Sequence, residues 1–104
     1  MPSSEPSAMF CYVYVLRSKS NGNIYIGFTT NLQKRITEHN TGNNKSTKPY
    51  LPWDIIYYEA HRNELDARRR EKYLKTTNGR RSISNMLREE LIGSGVDARQ
   101  KVYN

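Results

Sequence analysis

The strongest constraint on the fold is a pair of β-branched and aromatic runs joined by a turn signal. Residues 9 to 16 read Met-Phe-Cys-Tyr-Val-Tyr-Val-Leu, residues 24 to 28 read Ile-Tyr-Ile-Gly-Phe, and Asn21-Gly22-Asn23 lies between them. β-Branched and aromatic side chains suit a pleated surface, and Asn-Gly adopts the turns that match strand twist, so a hairpin is predicted. Alternation puts Tyr12 and Tyr14 on one face and Cys11, Val13 and Val15 on the other. With helices on one side of the sheet only, the tyrosine face would be half-solvated. Its tyrosines are then either good strand formers with wet hydroxyls or groups that do chemistry.

Helical spacing follows. Thr30 with Gln33 is a capping-box candidate for a helix to about Asn40, with Leu32 and Ile36 one turn apart on its buried face. Residues 41 to 52 are rich in Thr, Gly, Asn, Lys and Pro and read as a loop. Residues 53 to 60 form a third strand. Asn63 caps a second helix, with Asp66 in its first turn; this helix runs to about Thr76, where Thr77-Asn78-Gly79 breaks it. Ile83, Met86, Leu87 and Leu91, three and four apart, mark a third helix. The order β-β-α-β-α-α is an α/β fold with a small three-stranded sheet. Residues 1–8 are expected as a disordered lead, 9–92 as one domain and 93–104 as a flexible tail.

With 104 residues, only one domain and a modest core fit. The net charge of +7 calls for an anionic partner, most commonly nucleic acid. A membrane surface is the rival, but no apolar run approaches spanning length and the start of the chain lacks a signal-peptide pattern, so a soluble, cytoplasmic protein is expected. The single cysteine, Cys11, excludes an intramolecular disulfide framework and reads as core. No Walker loop, zinc-ligand spacing or Ser-His-Asp arrangement is visible.

Arg35 and His39 share one helical face. They are either a solvated basic face or a clamp for one phosphate, Arg35 through planar donors and His39 through a titratable ring. Glu71 shares the face of Ala67 and Leu74, where a carboxylate is costly unless paired or metal-bound. It either pairs with Arg68 or Lys75 or holds a metal ion. A basic cluster of Arg62, Arg68, Arg69, Arg70, Lys72, Lys75, Arg80 and Arg81 surrounds the second helix and its exit. With Lys34, Lys45 and Lys48 added, it reads as a phosphate-tracking surface with salt-dependent binding.

Tyr12-Val13-Tyr14, ten intervening residues and Tyr25-Ile26-Gly27 resemble the signature of the GIY-YIG endonucleases. Asn31-Leu32-x-x-Arg35-x-x-x-His39-Asn40, then Ala67-Arg68-x-Arg70-Glu71-Lys72-x-Leu74-Lys75 and Gly79-Arg80, are similar to the small stand-alone branch of that family, which resembles the N-terminal nuclease domain of the excision-repair excinuclease. The resemblance implies the GIY-YIG fold, a three-stranded antiparallel sheet flanked by helices, and a divalent-metal-dependent endonuclease. By position, Tyr14 and Tyr25 match the motif tyrosines, with Tyr14 activating water and His39 assisting it. Arg35 matches the arginine on the scissile phosphate. Glu71 matches the carboxylate that holds Mg²⁺ or Mn²⁺. The partner would be DNA, structured or branched, in processing, repair or defence, with 5′-phosphate and 3′-hydroxyl products. Two departures stand out: Tyr12 replaces the first motif's glycine, and Phe28 stands where some branches carry a lysine, so that Lys45 or Lys48 would have to serve. Asn78 and Asn85 are candidates for a further site asparagine. The competing class is a nucleic-acid-binding module without catalysis, or a nuclease that acts only with a protein partner.

Overall fold

The computed structural model describes residues 9–93 and 102–103. Strands β1 (Cys11–Ser18) and β2 (Ile24–Thr29) form the expected antiparallel hairpin, with Tyr14 opposite Gly27 and Leu16 opposite Tyr25. Strand β3 (Trp53–His61) pairs antiparallel with the other edge of β1, and the register shifts between Val15 and Leu16. A two-residue strand, β4 (Val102–Tyr103), lies parallel to the start of β2, giving the order β3-β1-β2-β4. The lead 1–8 lies outside the described residues, as does the tail expected over 93–104 apart from Gly93 and this strand.

Helices flank the sheet on both faces, so the half-solvated tyrosine face that one-sided cover would leave does not form. Cys11, Val13, Val15, Ile24 and Ile26 pack against Ala67 and Leu74 of α2 (Glu64–Leu74) and Ile83 of α3 (Thr77–Met86). The opposite face, with Tyr14, Leu16, Tyr25 and Trp53, is covered by Leu32 and Ile36 of α1 (Leu32–Asn40) and by Tyr50 and Leu51. The tyrosine face is therefore dry at Tyr14, which is fully buried. Alternation assigned the faces correctly, but a period of two cannot say which face a later helix will cover.

Local signals also shifted at helix ends. Asn31 caps α1 by accepting from the Lys34 backbone N–H, while Thr29 Oγ1 takes the Asn31 N–H, so Thr30 is not the cap. Asn63 caps α2 as expected, accepting from Leu65 N–H. α2 ends at Leu74, and Thr76 caps α3 by accepting from Gly79 N–H. Thr77-Asn78-Gly79 thus opens a helix. Gly79 is needed there because a methyl group would collide with the Tyr73 carbonyl and Leu74 backbone, where α3 folds back on α2. The expected third helix is two: α3, and after Leu87, α4 (Arg88–Gly93), with Leu91 buried and Met86 exposed.

Candidate active site

Tyr14, Tyr25 and His39 converge between the sheet and α1. Tyr14 reaches across β2 directly over Gly27, where any Cβ would meet its hydroxyl and ring. The Tyr14 hydroxyl lies 2.9 Å from His39 Nε2, and His39 Nδ1 lies 2.9 Å from Thr47 Oγ1. Tyr25 stands edge-on to the imidazole, with ring centroids 4.8 Å apart. Tyr14, His39 and Thr47 are all fully buried.

Burial dominates the electrostatics. It pushes the Tyr14 phenol well above its ordinary range; hydrogen bonding and charge from Arg35 oppose this, while Tyr25 and Glu71 add to it. Burial, and then the Arg35 charge, pull His39 down to about 4, so its imidazole is neutral at physiological pH. A neutral imidazole beside a phenol is a proton acceptor, the state a base needs.

Arg35 connects this buried group to the surface. Its Nη1 pairs with Glu38 at 3.1 Å, and its Nε is a buried donor without a hydrogen-bond partner among the described residues. The guanidinium is held more firmly charged, chiefly by hydrogen bonding to Tyr14. Arg35 also lines an open cleft of about 370 Å³ with Phe28, Thr29, Asn31, Lys34, Glu38 and Arg68. Arg68 stacks over Phe28, 4.0 Å from the ring centroid. The cation beside the second motif is thus Arg68, contributed by α2, while Lys45 and Lys48 are exposed on the loop.

Glu71 lies on α2 with its side chain 18% exposed, and its Oε2 accepts from Lys75 Nζ at 2.8 Å. The carboxylate is therefore paired with Lys75, as the pairing reading expects; its charge also raises the Tyr14 phenol, and Oε1 has no hydrogen bond among the described residues. Those residues hold no group of three or more His, Cys, Asp or Glu that could cage a metal. One carboxylate suits a hard cation such as Mg²⁺, which keeps most of its waters and takes other oxygens from a phosphate. Asn78 and Asn85 are exposed on α3.

The basic residues divide among three places. Lys34 and Arg68 border the cleft. Arg69 and Arg70 face the β3 side of α2, paired with Asp66 and Glu59, each at 2.8 Å. Arg80 and Arg81 are exposed on α3 and, like Lys34, Lys45 and Lys48, make no ion pair among the described residues. Glu59 is held below its usual range: burial would raise it, but bonds from Arg70, His61 and Tyr57 outweigh that. Thr47 is the neighbour of the candidate site that sequence reasoning missed. It sits in a polar loop with no periodicity, and only its burial against His39 reveals it.

The candidate site thus consists of a hairpin whose first strand aims a tyrosine across a glycine of the second, with an Arg-x-x-x-His helix and a carboxylate-bearing helix beside it. Residues 10–84 match the GIY-YIG catalytic domain, and the chain belongs to that family. It is 42% identical over 65 residues to a UPF0213 protein of Clostridium perfringens, covering 62% of this chain and 69% of that protein. A UPF0213 protein of Staphylococcus haemolyticus is 41% identical over 66 residues, covering 62% of this chain and 79% of the relative. No solved structure matches the chain. Among the described residues no helix is long and apolar enough to cross a membrane.

Proposed function

We propose that the protein is a divalent-metal-dependent endonuclease that hydrolyses DNA phosphodiester bonds in the cytoplasm, in DNA processing, repair or defence. The observation that carries this reading is the buried Tyr14–His39 bond at 2.9 Å behind Arg35, which also lines the open cleft. A DNA phosphate entering the cleft engages Arg35 in place of Glu38. Lys34 and Arg68 hold the flanking backbone. As Arg35 turns to the phosphate it uncovers the phenolic oxygen of Tyr14, which is fully buried in the free protein; water enters against it and gives up a proton to that oxygen as the Tyr14 proton passes to His39 Nε2. The water oxygen bonds to phosphorus and the bond to the 3′-oxygen breaks; the departing 3′-oxygen takes a proton from solvent water in the open cleft, leaving a 5′-phosphate and a 3′-hydroxyl. Arg35 stabilises the charge gathering on the phosphoryl oxygens. Tyr25 packs edge-on against the imidazole and helps hold it beside Tyr14. Glu71 would hold Mg²⁺ or Mn²⁺, which would supply charge stabilisation to the phosphoryl transfer when bound.

The test is cleavage of labelled duplex, single-stranded, nicked and branched DNA with Mg²⁺ or Mn²⁺, beside Glu71→Ala and an EDTA control. Cutting that disappears in both controls is expected. Binding without cutting on every substrate would overturn the reading in favour of a binding module or a partner-dependent enzyme.

A further inference from the structure

We propose that Thr47 is a positioning residue that sets the tautomer of His39, so that Nε2 is the acceptor facing Tyr14; its role in turnover rests on the nuclease reading above. The directions of the hydrogen bonds in this buried chain follow from counting protons. The Tyr14 hydroxyl is fully buried, and His39 Nε2 at 2.9 Å is its one acceptor among the described residues. A buried hydroxyl left without an acceptor is costly, so Nε2 accepts and carries no proton. The neutral imidazole then holds its proton on Nδ1, which must donate. Its partner there is Thr47 Oγ1 at 2.9 Å. The Thr47 hydroxyl in turn has one proton, directed at the Asn44 carbonyl at 3.4 Å. The opposite direction, with Thr47 donating to Nδ1 and Nε2 donating to Tyr14, would strand the Tyr14 proton.

The loop is built to hold Thr47 still. Trp53 Nε1 donates to the Thr47 carbonyl at 2.9 Å. Asn40, at the end of the His39 helix, brackets the Trp53 backbone: Trp53 N–H donates to Asn40 Oδ1 at 2.7 Å, and Asn40 Nδ2 donates to the Trp53 carbonyl at 3.0 Å. The histidine's helix, the loop and β3 are thereby joined around one hydroxyl. Valine at 47 would keep the volume but offer Nδ1 no acceptor. The Nδ1–H form would then leave that donor buried and unpaired, while the Nε2–H form would still strand the Tyr14 proton, so the preference for Nδ1–H narrows and a fraction of the rings lose the lone pair facing Tyr14.

The decisive readout needs no DNA. Two-bond ¹H–¹⁵N correlation spectra of histidine-labelled protein at neutral pH, with His39→Gln used to assign the signals against His61, report which ring nitrogen is protonated. The wild type is expected to show Nδ1 protonated, Thr47→Val to shift toward Nε2–H, and Thr47→Ser to restore the wild-type pattern. In cleavage, Thr47→Val should lower kcat about tenfold or more with KM little changed, as befits a group acting through a general base, and Thr47→Ser should recover it. A wild-type spectrum with Nε2 protonated overturns the proposal, as does a folded Thr47→Val that keeps both the Nδ1–H form and full kcat. If the valine variant does not fold, the wild-type and serine spectra still decide. If the wild type cuts no DNA while its spectrum shows Nδ1–H, the nuclease reading fails and the tautomer assignment stands.

Discussion

Acidification should destabilise this protein through His39 in a way that a single substitution removes. The imidazole is fully buried and lowered from its ordinary 6.5 to about 4. At ~1.4 kcal/mol per pH unit, the difference corresponds to about 3 kcal/mol. The unfolded chain takes up this proton near pH 6.5 and the folded chain resists it, so the unfolded state binds more protons in between. Stability therefore falls as pH drops from about 6.5 towards 4 and levels off below, where both states are protonated. Arg35 strengthens the resistance and Glu38 weakens it. Against a typical total of ~5–15 kcal/mol, such a loss is large. Urea unfolding followed by circular dichroism at pH 7, 6, 5 and 4, for wild type and His39→Gln, isolates it from the carboxylates that titrate in both proteins. The advantage of histidine over glutamine should shrink by about 3 kcal/mol across that range. Parallel pH dependences for the two proteins would refute the reasoning and mean that the imidazole is hydrated or charged in the fold.

Gly27→Ala places a methyl group against the Tyr14 hydroxyl and ring; thermal melts should show a loss of about 1–3 kcal/mol, and cleavage should fall because the phenol is pushed off His39. Arg80 and Arg81, exposed and without an ion pair among the described residues, should act as phosphate contacts, so replacing both with alanine should reduce the slope of log binding constant against log salt by up to about 1.8, measured by fluorescence anisotropy on duplex DNA, while melting temperature stays nearly unchanged.

Much of the site was legible because its residues sit on regular elements. Tyr14 and Tyr25 follow strand alternation, and Arg35 and His39 follow helical spacing. Asn63 capped its helix as its chemistry requires. Reasoning failed where two local signals competed or where partners came from distant segments. Thr76 outranked the Thr77-Asn78-Gly79 breaker because its hydroxyl had an unpaired Gly79 N–H to satisfy and Gly79 allowed the close return of α3. Arg68, expected in a basic run and as one possible partner of Glu71, instead pairs with Glu64 and stacks on Phe28 from α2.

The sequence by itself determined the hairpin, the element order, the basic balance and the residue types available for chemistry. These rest on local periodicity and composition, which act over a few residues. Tertiary structure alone decided that α1 would close over the tyrosine face and dry it, that His39 would be neutral there, and that a threonine in a featureless loop would take its second nitrogen. Burial and hydrogen-bond direction depend on what comes to lie alongside a residue in space, and neighbours eight and 25 positions apart along the chain leave no periodic trace.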